Sequence, residues 1–307
     1  MQGGSLAPSD RARDAVRGGF DPHVHVGPDF APRRITDLEL AQRFGELGLA
    51  GFTLKSHYTA TAERAAVVTA ASAGVVALGA IVLNDSVGGL NPTAVEVAAR
   101  QGARIVWMPT VSAIGEHAEV EATDPDGKVP VWVRFELELR AAGVKPRAVA
   151  VIDDSGAPTA ALLAVLEVIA RHDLVLATGH LSKTEIFAVV DAALDAGVRT
   201  IVVTHPEFPS QAIAPAEQQR LAARGALMER VFTTAHTGKC TWEQVFAATR
   251  AVGAESTVWA SDLGQVFNPP VEDGLALMAD QFFAAGFSDE EIRMMAVHNT
   301  RRVAGVA

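Results

Sequence analysis

Short, continuously apolar runs alternate along this chain with longer stretches whose apolar residues recur at helical spacing, the pattern of a parallel sheet covered by crossover helices. The strand-like runs fall at residues 19–25, 50–55, 75–83, 103–108, 174–178, 200–204, 230–235 and 257–260. Their lack of in/out alternation means that both faces are buried. A further run at 148–152 ends in the turn sequence Asp153-Asp154-Ser155-Gly156 and is expected to form an extra strand on an insertion. Helix boundaries are equally visible. Ser182-Lys183-Thr184-Glu185 forms a capping box, Ile186, Val189, Val190, Ala193 and Leu194 follow at helical spacing, and Gly197 sits where a C-cap glycine belongs. Ser288-Asp289-Glu290-Glu291 repeats the capping device.

Eight strands with covering helices in 307 residues predict an α/β chain folded as one (β/α)8 TIM barrel, a single domain over residues 1–307. The least regular stretch, 111–146, carries Asp124-Pro125-Asp126-Gly127 and Trp132. It reads as an insertion between the fourth and fifth strands, a lid or specificity element. No linker, repeat or low-complexity tract divides the chain.

Composition narrows the function. The net charge of −10, with no run of Lys or Arg, speaks against nucleic acid or an anionic membrane as partner. The lone Cys240 rules out an internal disulfide and reads as a small buried apolar side chain. No apolar stretch has the length of a signal peptide or a membrane span, so a soluble cytoplasmic protein acting on a small molecule is expected, with homo-oligomerisation left open.

The informative polar residues stand at strand ends. His23 and His25 close the first strand, and Lys55 and His57 the second. His180 follows the fifth, His205 ends the sixth, His236 the seventh, and Asp262 follows the eighth. All strands of a barrel open C-terminally onto one face, so these residues would converge. Histidines at i and i+2 on a strand point the same way and can reach one cation. Imidazole and carboxylate suit zinc and related divalent ions. Such an ion lowers the pKa of its water to roughly 7, and Asp262 could both ligate it and take the proton. Lys55 is either a carboxylated, metal-bridging lysine or a charge facing substrate. His57 and His236 are substrate-contact candidates, His117 is a residue of the insertion, and Asp21 and Glu207 are placed to orient imidazoles. His172 and His298 fall in helical segments instead.

Phe20-Asp21-Pro22-His23-Val24-His25, then His180, His205 and Ser261-Asp262, with the C-terminal His298-Asn299-Thr300-Arg301-Arg302-Val303-Ala304-Gly305, resemble the amidohydrolase superfamily of metal-dependent barrel hydrolases over almost the whole chain. The resemblance implies that His23, His25 and Asp262 hold one metal, and that His180 and His205 hold a second or complete a single site. It implies Asp262 as general acid/base in cleavage of an amide, cyclic amide, lactone or ester bond. The expected cofactor is one or two divalent ions, Zn2+ first, with Mn2+, Fe2+ or Ni2+ as alternatives. In two-metal members of this superfamily the bridging lysine or glutamate usually comes from the fourth strand. Here that strand ends Trp107-Met108-Pro109-Thr110, leaving Lys55 as the substitute. Decarboxylation of a small acid on the same site, or a catalytically silent binding barrel, are the competing readings.

Overall fold

The computed structural model describes residues 7–116, 118 and 131–306. His117 and the Asp124-Pro125-Asp126-Gly127 turn of the insertion lie outside them. Eight strands run in sequence order around one sheet: β1 (Phe20–Val24), β2 (Gly51–Leu54), β3 (Val76–Val82), β4 (Ala103–Trp107), β5 (Val175–Ala177), β6 (Thr200–Val203), β7 (Leu227–Val231) and β8 (Thr257–Ala260). Every neighbouring pair is parallel. The seam between β8 and β1 is stitched at the mouth, where Asp262 N–H donates to His23 O at 2.9 Å and His25 N–H to Leu263 O at 2.8 Å. The result is a (β/α)8 barrel, as expected.

Its lumen is filled by Ala80, Val82, Ile105, Trp107, Val175 and Val258, so it is a packed core and not a channel. Two further apolar clusters lie between the barrel and its helices. The helices start where their caps place them. Glu185 N–H donates to Ser182 Oγ at 3.4 Å and Ser182 N–H returns to Glu185 Oε2 at 2.8 Å, opening the helix Lys183–Asp195. Gly197, at φ +81°, lies just past its end. The Ser288/Glu291 box is also formed. Among the described residues no helix is long and apolar enough to cross a membrane.

Three expectations need correction. Residues 148–152 form no strand; they make only isolated bridges, Ala113 with Val149 and Ile152 with Pro158, around the expected turn. Part of the irregular insertion is a helix, Val131–Ala141. The seventh strand lies at Leu227–Val231, earlier than the apolar run at 230–235, and a short helix, Phe232–His236, follows it. Glu229 and Arg230 interrupt the apolar pattern of β7, yet both are buried, at 2% and 0% exposure. Arg230 is neutralised by Glu207 and also donates to Gln218 Oε1 at 2.7 Å and Thr249 Oγ1 at 3.1 Å.

Candidate metal centre

His23 of β1 and His25, the residue just past its end, both reach the barrel mouth. His23 Nε2 lies 3.2 Å, and His25 Nε2 3.1 Å, from the same oxygen, Asp262 Oδ1. Three ligand atoms, one from each residue, fall within 4.8 Å of one another, the only such grouping of His, Cys, Asp and Glu among the described residues. Asp262 is held from the other side by Thr233, whose hydroxyl donates to Oδ2 at 3.0 Å. Its backbone is left-handed, at φ +52°. Backbone held in such a sparsely populated region is a recurrent feature of functional sites. The next glycine, Gly264, is required because a Cβ there would collide with the His25 carbonyl across the seam.

Charge follows geometry. Burial and the adjacent Lys55 push the His23 imidazole down, but the Asp262 and Glu229 carboxylates outweigh both and lift its pKa to about 9. Burial lowers His25 to about 3, and its Nδ1 has no hydrogen-bond partner among the described residues. Asp262 is held well below the usual carboxylate range: its burial acts upward, and His23 and His25 overcome it. Burial lowers Lys55, 3% exposed, to about 8 against the pull of Asp262 and Glu229. Its Nζ sits 2.9 Å from His23 Nε2 and 5.2 Å from the Trp107 ring centroid.

The residue that orients His23 is Glu229, which is not among the residues that strand-end spacing singles out. Glu229 Oε1 lies 3.1 Å from His23 Nδ1, and Oε2 accepts the His205 N–H at 3.2 Å. Burial raises Glu229, but His23 and its other charged neighbours hold it below the ordinary value. An ionised carboxylate on Nδ1 leaves Nε2 to face a cation, the support on which metal-binding imidazoles depend. Its signal in the sequence was a charge inside a strand. Glu229→Gln should weaken zinc binding about 10- to 100-fold without unfolding the barrel, measured by competition with a chelating dye; an unchanged affinity would remove Glu229 from the site.

His180 and His205 join the mouth differently. Gly179, at φ +61°, turns the chain after β5 where a Cβ would strike the Met108 carbonyl. His180 Nδ1 then lies 3.2 Å from Glu116 Oε1. His205 is neutral, lowered to about 3 by burial and by His180. Gln211 gives its amide N–H to Gly179 O at 2.7 Å, so its Oε1, 3.2 Å from His205 Nδ1, accepts the imidazole proton and leaves Nε2 with a lone pair. The two rings are 5.1 Å apart, and His205 lies 6.4 Å from His23. They border the three-ligand cluster without entering it.

His57 stacks on His25 at 4.9 Å; burial and neighbouring charges, Lys55 first among them, keep its pKa well below the ordinary histidine value. His25, Lys55, His57, His180 and Asp262 line a cavity of about 730 Å³ whose outer wall includes Phe30, Arg33, Trp132 and Phe267. Trp132 therefore brings the insertion to the cavity wall. His236 does not reach it. It ends the helix Phe232–His236 stacked on Phe232 at 4.9 Å, because the strand ends earlier than the apolar run, and Thr233 takes the place beside Asp262. Among the described residues neither Asp21 nor Glu207 hydrogen-bonds to an imidazole. Asp21 Oδ1 accepts the backbone N–H of His23 at 3.2 Å and of Ser261 at 3.1 Å, tying β1 to β8, and Glu207 serves Arg230. Cys240 is half-buried against the core, in keeping with an apolar role.

A barrel with this mouth has the fold of the amidohydrolases. An amidohydrolase from Pseudomonas aeruginosa superposes with a TM-score of 0.61 at 12% identity, over 98% of this chain and 99% of that one. An amidohydrolase from Burkholderia multivorans with bound zinc matches at 0.54 and 11% identity, covering 94% and 99%. A mutant organophosphorus hydrolase from Deinococcus radiodurans matches at 0.51 and 16% identity, covering 98% of each chain. The chain itself belongs to a family of unknown function, DUF6282, whose model matches residues 18–229. Comparison with the curated proteins finds no match. The matched span takes in His23, His25, Lys55, His180, His205 and Glu229 and stops before Asp262.

Proposed function

We propose that this protein is a metal-dependent hydrolase of small molecules, acting on an amide, cyclic amide, lactone or ester bond. The observation that carries the reading is the convergence of His23 Nε2, His25 Nε2 and the Asp262 carboxylate within 4.8 Å at the mouth of a barrel, beside a cavity of about 730 Å³. The donor set fits a divalent cation: one imidazole is tethered by a carboxylate at Nδ1, the other is neutral, and an ionised carboxylate stands between them. Such similar folds as the zinc-bound amidohydrolase from Burkholderia multivorans support zinc as the ion.

When bound, the ion would supply Lewis-acid polarisation and a water acidified to a pKa of roughly 7. The chain supplies the rest. Asp262, ionised and braced by Thr233, accepts a proton and returns it to the leaving group, a role worth about 10²- to 10⁴-fold. Lys55 and His180 face the cavity beside the reacting bond, and Phe30, Trp132 and Phe267 shield it. We read one ion, not two. His180 and His205 stand outside the ligand cluster, and β4 presents Trp107, its ring 5.5 Å from His23, at the strand end from which a bridging residue would come. Lys55 then serves as a charge toward substrate, its amine already against His23.

Protein purified without chelator should carry one equivalent of divalent metal and open lactones, lactams or esters in a standard panel, with activity removed by chelation and restored by zinc or manganese. Carbon dioxide release without hydrolysis would instead favour decarboxylation. Substoichiometric metal that added zinc or manganese does not restore would contradict the reading.

A further inference from the structure

His57, Asn84 and Thr110 follow three consecutive strands, β2, β3 and β4, and form one hydrogen-bonded chain at the cavity wall. Its polarity can be read from chemistry alone. Asn84 Oδ1 receives two backbone N–H groups, Thr110 at 2.8 Å and Ser112 at 3.1 Å, and a main-chain N–H is always a donor. The other end of the amide is therefore the NH2. It donates to the His57 carbonyl at 2.8 Å and to Thr110 Oγ1 at 2.7 Å. Thr110 is fully buried, and its hydroxyl, having accepted from Asn84, has one proton to place. The remaining partner is His57 Nδ1, at 2.8 Å. A buried hydroxyl proton without an acceptor is costly, so the proton points at Nδ1, which is thereby an acceptor. The imidazole must then carry its own proton on Nε2, the nitrogen with no hydrogen-bond partner among the described residues, on a ring that lines the cavity.

We propose that the Asn84–Thr110 relay locks His57 in the Nε2–H form, so that it meets substrate as a fixed hydrogen-bond donor to a carbonyl or carboxylate oxygen and serves neither as metal ligand nor as base. The donor role rests on the hydrolase reading; the tautomer lock does not. The relay explains why a histidine stacked on the ligand His25 stays out of the ligand cluster: its outward nitrogen has no lone pair to give. It also gives the substrate oxygen a donor whose direction is fixed by hydrogen bonds joining the segments that leave three neighbouring strands, which favours precise positioning.

The test is multiple-bond 15N–1H correlation of protein labelled at histidine nitrogens, with the His57 signals assigned by their loss in His57→Gln. The expected result is the Nε2–H pattern for His57, unchanged when zinc is added. Thr110→Val should release the lock, giving the other tautomer or averaged shifts, and Thr110→Ser should retain it. An Nδ1–H pattern in the parent protein, a change in nitrogen protonation at His57 on zinc addition, or an unaltered Nε2–H pattern in Thr110→Val would overturn the inference. Protein that takes up no zinc but keeps the lock would contradict the metal centre and still support the relay.

Discussion

Replacing Asp262 by Asn should reduce kcat/KM about 10²- to 10⁴-fold, the range for removing a positioned acid/base, while far-ultraviolet circular dichroism and the melting profile stay close to those of the parent. The side chain keeps its shape, so Thr233 retains a partner, and the seam is held by main-chain bonds from Asp262 and His25 that the substitution leaves intact. What is lost is the carboxylate on which His23 and His25 converge. Metal affinity should fall with activity, because an amide oxygen replaces an anionic ligand. Separating the losses requires assays at saturating zinc, where the residual defect reports the proton-transfer role. Full activity in the variant would remove Asp262 from the chemistry.

The second large effect is in pH. Without metal, His23 sits against Asp262 and Glu229 with its pKa raised to about 9, and Lys55 is lowered to about 8 beside it. The two nitrogens share a contact that cannot hold two charges comfortably, and the surrounding carboxylates keep at least one proton there at neutral pH. A cation on His23 Nε2 must displace that proton. His23 is protonated below its raised pKa, so metal binding weakens as pH falls and strengthens as pH rises. Asp262 and His25 add nothing to this slope between pH 6 and 8, since one is already ionised and the other already neutral. Zinc affinity should therefore rise about tenfold per pH unit, roughly 100-fold from pH 6 to 8, with one proton released per ion. Calorimetry in buffers of different ionisation enthalpy counts that proton. A flat affinity, or no proton release, would mean that His23 is not displaced from its proton by the metal.

The sequence makes the barrel legible because most of the buried parallel strands are short, largely apolar runs, and the strand-end histidines stand out against such runs. Where charge enters a strand the pattern fails. Glu229 looks like the end of a loop, which shifts the expected seventh strand to Arg230 and the residues after it and carries His236 to the mouth. The same disguise hid Glu229, whose carboxylate points inward at His23. Asn84 and Thr110 were invisible for another reason. Neither is unusual at its own position, and their meaning lies in hydrogen bonds between neighbouring strands that no one-dimensional spacing encodes. The bridges at Val149 and Ile152 show the converse: an apolar run of strand length forms no strand where no neighbour offers a continuous edge.

A cation held by His23, His25 and Asp262 is tested most directly by a crystal structure of zinc-loaded protein with data at the zinc absorption edge. The expected result is a single anomalous peak about 2.0–2.2 Å from His23 Nε2, His25 Nε2 and an Asp262 oxygen. A zinc-loaded crystal with no peak at these three residues, or with its zinc bound elsewhere, would contradict a cation site at His23, His25 and Asp262.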